Sequence, residues 1–74
     1  MQKLLDIINK IRQNKAQDVL AEIDVSMNLR DDIGFDSLDL AELTVRIEAE
    51  FGVDVFDDGL VFTVGEILKK IQEQ

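Results

Sequence analysis

Few residues in this sequence can do chemistry. It contains no Cys, His, Trp, Tyr or Pro. Their absence removes His-based acid–base catalysis, Cys nucleophiles, Ser–His pairs, His/Cys zinc sites and disulfides. Asp, Glu, Lys and Ser remain. Among them, the best-defined setting is Gly34-Phe35-Asp36-Ser37-Leu38-Asp39-Leu40, where a turn ends and a helix begins. Asp36 is of the N-cap type, because its short carboxylate accepts the free backbone N–H groups of a first turn. Asp39 falls within that turn, where the helix dipole favours negative charge. Ser37 is then the first helical residue, with no structural task for its hydroxyl, which points to solvent at the positive end. An anion joined to that oxygen would sit beside unpaired N–H groups. Asp-Ser-Leu alone is equally the mark of an ordinary capped helix.

The helix that positions this serine is expected over Ser37–Phe51, stopped by Gly52. At about 100° per residue, Leu40, Leu43, Ile47 and Phe51 share one face within roughly 80°. That is a core stripe. Leu38, Ala41, Val45 and Ala49 share a second arc of roughly 80° on nearly the opposite side. Asp39, Glu42 and Glu48 border the second arc. Either it is an exposed docking face beside Ser37, or another element covers it.

The remaining chain supplies the support. Leu4, Ile8 and Ile11, widened by Leu5 and Ile7, predict a first helix from about Gln2 to Lys15. Between Ala16 and Phe35 the pattern predicts a long loop pinned by Ile23, Leu29 and Ile33. Val19, Leu20 and Ile23 could add a helical turn. Val25, Met27 and Leu29 alternate, but a lone strand would lack a partner. Gly34 supplies the bend before the serine. Val53 to Phe62 reads as a short irregular helical piece with a turn at Asp57-Asp58-Gly59. Thr63-Val64-Gly65-Glu66 has capping-box order and opens a last helix, to Ile71, with a Val64, Ile67, Leu68, Ile71 stripe.

Composition narrows the partners. The chain has 74 residues, enough for one small domain (1–74), with 16 acidic against 8 basic residues and a formal charge of −8. Such a surface repels nucleic acid and anionic membranes; it either suits proteins with basic patches found by electrostatic steering or merely keeps a small protein soluble. No segment is long and apolar enough to span a bilayer. Lys3, Asp6 and Lys10 break any secretory pattern, so the expected location is cytoplasmic. Neither Asp31, Asp32, Asp36 and Asp39 nor Asp54, Asp57 and Asp58 has calcium-loop spacing, and no metal site is expected.

The run from Arg30 through Leu43, continued by Ile47-Glu48-Ala49-Glu50-Phe51-Gly52-Val53, resembles the acyl carrier proteins. In that family the serine of Asp-Ser-Leu carries a 4′-phosphopantetheine arm. A carrier protein synthase (a phosphopantetheinyl transferase) transfers it from coenzyme A with magnesium. The resemblance implies Ser37 as the attachment residue and an all-α fold. That fold is a small bundle of three long helices plus a short or irregular third helix, with a long loop after helix one. It implies a second helix read by acyl-transferring or ketosynthase-type enzymes. Asp36, Asp39, Glu42 and Glu48 match acidic contact positions, and Leu38 and Val45 match apolar ones. Leu29, Leu40, Leu43, Ile47 and Ile67 would line the acyl pocket. The protein itself, expected to be a monomer, would catalyse nothing.

Three features depart from the family. Arg46 stands where a small residue is usual and Ala49 where glutamate is common. Both point to a dedicated partner set, so to a specialised rather than a general fatty-acid carrier. Phe56 replaces a usual proline in a shortened region, which leaves the acyl chain length open. Two alternatives stay open: an aminoacyl or D-alanyl carrier, and an unmodified acidic helical adaptor.

Overall fold

The computed structural model describes residues 2–56 and 61–72. Among these described residues three helices follow one another: α1 (Gln2–Asn14), α2 (Ser37–Phe51) and α3 (Val64–Gln72). The all-α expectation holds. Of the irregular piece expected over Val53 to Phe62, residues 53–56 hold a turn rather than a helix. The Asp57-Asp58-Gly59 turn lies outside the described residues.

α1 stops one residue short of the expected Lys15. Gln17 N donates to Arg12 O at 2.9 Å and Ala16 N to Gln13 O at 3.0 Å, with Ala16 at φ 60°. This is a Schellman closure, in which a left-handed residue satisfies the last carbonyls. Glycine is usual there, because alanine's Cβ makes the conformation strained.

The core collects the apolar stripes. Leu4, Leu5, Ile8 and Ile11 of α1 meet Leu43 and Ile47 of α2 and Val64 and Ile67 of α3. Ile23, Leu29, Ile33 and Phe35 join them from the long loop, and Val55 and Val61 from the second connection. All three expected loop pins are therefore buried.

Polar clamps fix what the apolar pins leave free. The Asn9 amide donates to Leu20 O at 2.9 Å and accepts from Leu20 N at 2.7 Å. Arg12 Nε donates to Asp18 O at 2.8 Å, and Arg12 Nη1 donates to Ile33 O. The additional helical turn considered near Val19 and Leu20 does not form: Val19 is exposed, and the backbone there follows the Asn9 side chain instead. The alternating segment, expected to lack a partner, finds one in an isolated antiparallel bridge between Asn28 and Thr63. Leu29 N donates to Phe62 O at 2.8 Å and Val64 N to Met27 O at 3.0 Å. Gly65 N then reaches Val25 O at 2.9 Å. A Cβ on Gly65 would lie 2.9 Å from that oxygen, so the approach requires glycine.

The bridge delivers the chain into α3. Glu66 N donates to Thr63 Oγ1 and Thr63 N to Glu66 Oε1, both at 3.2 Å, which is the expected capping box. Among the described residues no helix is long and apolar enough to cross a membrane.

Candidate functional site

The site is built where the long loop turns into α2. Asn28 starts the approach: its Oδ1 accepts Arg30 N at 2.8 Å and Asp31 N at 3.0 Å. Asp32 Oδ2 closes the turn on Asn28 N at 2.6 Å. Leu29 and Ile33 point inward as anchors, leaving Arg30 exposed between them. Phe35 N donates to Leu29 O at 2.9 Å, and Gly34 takes φ 85°, the bend expected of it. The buried Phe35 ring then fixes the entry angle.

Asp36 is the N-cap, with extended backbone at φ −96° and ψ −174°. Its carboxylate accepts Asp39 N at 3.0 Å, and the Asp39 carboxylate accepts Asp36 N at 3.0 Å. This reciprocal box satisfies two otherwise orphaned donors. The Asp39 N–H, helped by the nearby Lys15 ammonium, holds the Asp36 carboxyl below its usual range. At the other end, Gly52 closes α2 at φ 73°, with its N–H on Glu48 O at 2.8 Å.

Ser37 is the first residue of α2 and is exposed. Its Oγ accepts a hydrogen bond from Arg30 Nη2 at 3.2 Å. The hydroxyl proton remains available, because that bond uses only an oxygen lone pair. Ser26 differs: its Oγ donates to Asp24 Oδ1 at 2.9 Å.

The second apolar arc of α2 lies in solvent. Leu38 is 78% exposed and Val45 67%, and Ala41 and Ala49 are exposed beside them. No described element covers Leu38 or Val45. Glu48 is exposed on the rim, whereas Glu42 is half-buried, its Oε2 accepting Arg46 Nε at 2.7 Å. The unusual Arg46 thus masks part of the Glu42 charge.

Asp39 is the correction within this group. It is only 6% exposed, and its carboxylate is held by Lys15 and by the cap. A partner cannot reach a side chain so enclosed, so Asp39 braces the serine's helix against Lys15, just past the end of α1. The five expected pocket residues lie in or against the core cluster. Leu29, Leu43, Ile47 and Ile67 are buried, and Leu40 packs half-buried against them. Among the described residues a cleft of about 360 Å³ lies at the far end of the bundle. It is lined by Gln2, Lys3, Leu4, Phe51, Leu68, Ile71 and Gln72, none of them from the expected pocket set.

The acidic residues near Ser37 are engaged locally. Asp32 holds Asn28 N, Asp36 holds Asp39 N, and Asp39 holds Lys15. Among the described residues no group of three potential metal ligands converges. Arg30, Lys15 and Arg12 are the functional supports that the sequence patterns missed. Arg30 lay inside the recognised run, while Lys15 and Arg12 act across the fold.

This setting suits a phosphate ester. The oxygen faces outward from a helix N-terminus, where negative charge is favoured. A guanidinium stands beside it, and its neighbour Leu38 leaves the approach open. Comparison with protein families agrees: residues 2–71, nearly the whole chain, match the family described as phosphopantetheine attachment site. The chain therefore belongs to the phosphopantetheine-binding carriers, the family of the acyl carrier proteins, whose prosthetic group is covalently attached 4′-phosphopantetheine.

Proposed function

We propose that this protein is an acyl carrier whose arm is attached through Ser37 Oγ. The observation that carries the reading is the placement of that oxygen: exposed, first in α2, capped from behind and not tied to a carboxylate. The chain has no Cys. When attached, the arm supplies the thiol on which acyl groups are held as thioesters. The chain's own residues hold and present Ser37. Asp36 and Asp39 fix the helix tip, and Lys15 ties that tip to α1.

The exposed arc of Leu38 and Val45, with Asp36, Glu42 and Glu48 around it, is the docking surface in this reading. A phosphopantetheinyl transferase and then acyl-transferring or ketosynthase-type enzymes with basic patches would meet it. Their encounters would be fast and weak, driven by charge steering and a few apolar contacts. A chain that must leave one enzyme for the next gains from that weakness. Leu29, Leu40, Leu43, Ile47 and Ile67 would line the path of an acyl chain taken in between the helices. In this reading the protein is a single carrier domain over residues 1–74, monomeric, cytoplasmic and without catalysis of its own.

The test is direct. Incubation with a carrier protein synthase, coenzyme A and magnesium should raise the intact mass by one phosphopantetheine, and Ser37→Ala should abolish the gain. An unchanged wild-type mass with several synthases would overturn the proposal in favour of an unmodified adaptor. Offering the loaded chain fatty acyl and aminoacyl substrates through their activating enzymes separates the two carrier classes.

A further inference from the structure

We infer that Arg30 is the residue that receives the phosphate of the attached arm. This rests on the reading of Ser37 as the attachment residue and adds a positioning residue to it. Among the described residues Lys3, Lys15 and Arg46 each sit in an ion pair with a carboxylate. Arg30, like Lys10 and Arg12, has no such pair, although Asp31 and Asp32 adjoin it in sequence and the chain carries twice as many acids as bases. Its guanidinium goes instead to the neutral Ser37 oxygen.

The backbone explains the aim. Arg30 N and Asp31 N both bond Asn28 Oδ1, and Leu29 is locked by its buried side chain and by its N–H on Phe62 O. Arg30 therefore leaves a fixed turn toward the tip of α2. Asp32, one of the two carboxylates in that turn, is occupied by Asn28 N. A cation is needed there. Asp36 already fills the N-terminal cap with negative charge, so a phosphodiester on Ser37 would meet a carboxylate as well as the helix dipole. A guanidinium at hydrogen-bond distance from the ester oxygen offsets that repulsion, and its planar donors suit phosphate oxygens in a way that an ammonium does not. In the unmodified chain the same bond holds the hydroxyl oxygen in place while leaving its proton free.

The experiment compares the protein before and after loading. The chain has three arginines, Arg12, Arg30 and Arg46. Arg12 Nε and Arg46 Nε have internal acceptors, Asp18 O and Glu42 Oε2, and serve as controls. Nitrogen-15 spectra of the arginine side chains, assigned with Arg30→Lys, should show the Arg30 Nε–H signal moving on loading while the other two stay. The Arg30 shift should fade toward 1 M salt, where charges are screened beyond about 3 Å. The phosphorus-31 resonance of the loaded chain should move in Arg30→Gln and return only part of the way in Arg30→Lys, which keeps the charge but not the planar donors. An Arg30 signal that moves no more than those of Arg12 and Arg46 overturns the inference, as does a phosphorus resonance indifferent to Arg30→Gln. A wild-type chain that gains no mass on incubation fails earlier, at the attachment reading, and takes this inference with it.

Discussion

α2 carries two apolar faces of similar chemistry and opposite fate. Leu43 and Ile47 are fully buried, while Leu38 and Val45 stand 78% and 67% exposed. Both sets repeat at helical spacing, and in the sequence only the acidic border and the smaller residues of the second arc set it apart. What separates them is the surroundings: α1 and the long loop cover one face, and no described element covers Leu38 or Val45 on the other. An exposed leucine and valine give little to stability where they are. Their position along the same helix as Ser37 lets a partner read them while it reaches the serine.

The sharpest way to break this contrast is to shorten one residue on each face. Leu43→Ala should cost about 2–5 kcal/mol in urea unfolding, from lost burial and the cavity left behind. Val45→Ala should change stability by less than about 0.5 kcal/mol. Its effect should appear in docking instead, with loading by a carrier protein synthase slowed about 5-fold for roughly 1 kcal/mol of lost apolar contact. Equal stability losses at the two positions would mean that the outer face is covered after all.

Asp39 lies between the faces and should behave like the core. Asp39→Ala removes a cap acceptor and the Lys15 partner together, and should cost about 1–2 kcal/mol, because half-exposed Lys15 can turn to water. Loading by synthase at a temperature where the variant stays folded should change little, since Asp39 cannot touch a partner directly. A strong loading defect in a fully folded Asp39→Ala would restore it to the contact surface.

Smaller effects sort the acidic rim. Glu48→Lys should slow loading several-fold at low salt and hardly at all at high salt. Glu42→Lys should do less on the docking side, because Arg46 already neutralises part of that charge. Removing Arg46 should raise the loading rate at low salt. The opposite ranking of Glu42 and Glu48 would show that the Arg46 pair opens on docking.

The cap itself predicts the smallest effect, through pH. The Asp36 carboxyl is held below its usual range by the Asp39 N–H. Its folded pKa is thus lower than its unfolded value near 3.9, so its stabilisation is present above that value and lost as pH falls through the lowered one. Asn at this position also caps but does not titrate. The melting-temperature difference between wild type and Asp36→Asn should be constant from pH 7 to 5 and should change only below about pH 4.

The local devices of the fold were legible in the sequence. The Ser37 start and Gly52 stop of α2, the Thr63–Glu66 box, and the buried Ile23, Leu29 and Ile33 follow from capping chemistry and spacing. The supports of the site were not. Lys15 meets Asp39 across 24 positions of chain, and Arg12 meets Ile33 across 21. Such pairs leave no periodicity, because they depend on where the loop lands. The Asn28–Thr63 bridge was hidden for the same reason. A single bridge has no strand-length pattern, and its partner lies beyond two connections. Leu29, Leu43, Ile47 and Ile67 were rightly placed inside by their spacing, with Leu40 packed against them.

The central claim is that the outward Ser37 oxygen, and no other, accepts the arm. The chain contains one other serine, Ser26, whose hydroxyl is spent on Asp24. Fragmentation mass spectrometry of the synthase-treated protein compares the two within one molecule. The phosphopantetheine mass should sit on the peptide bearing Ser37, with Ser26 unmodified; the added mass on Ser26, or no added mass at all, would contradict the account.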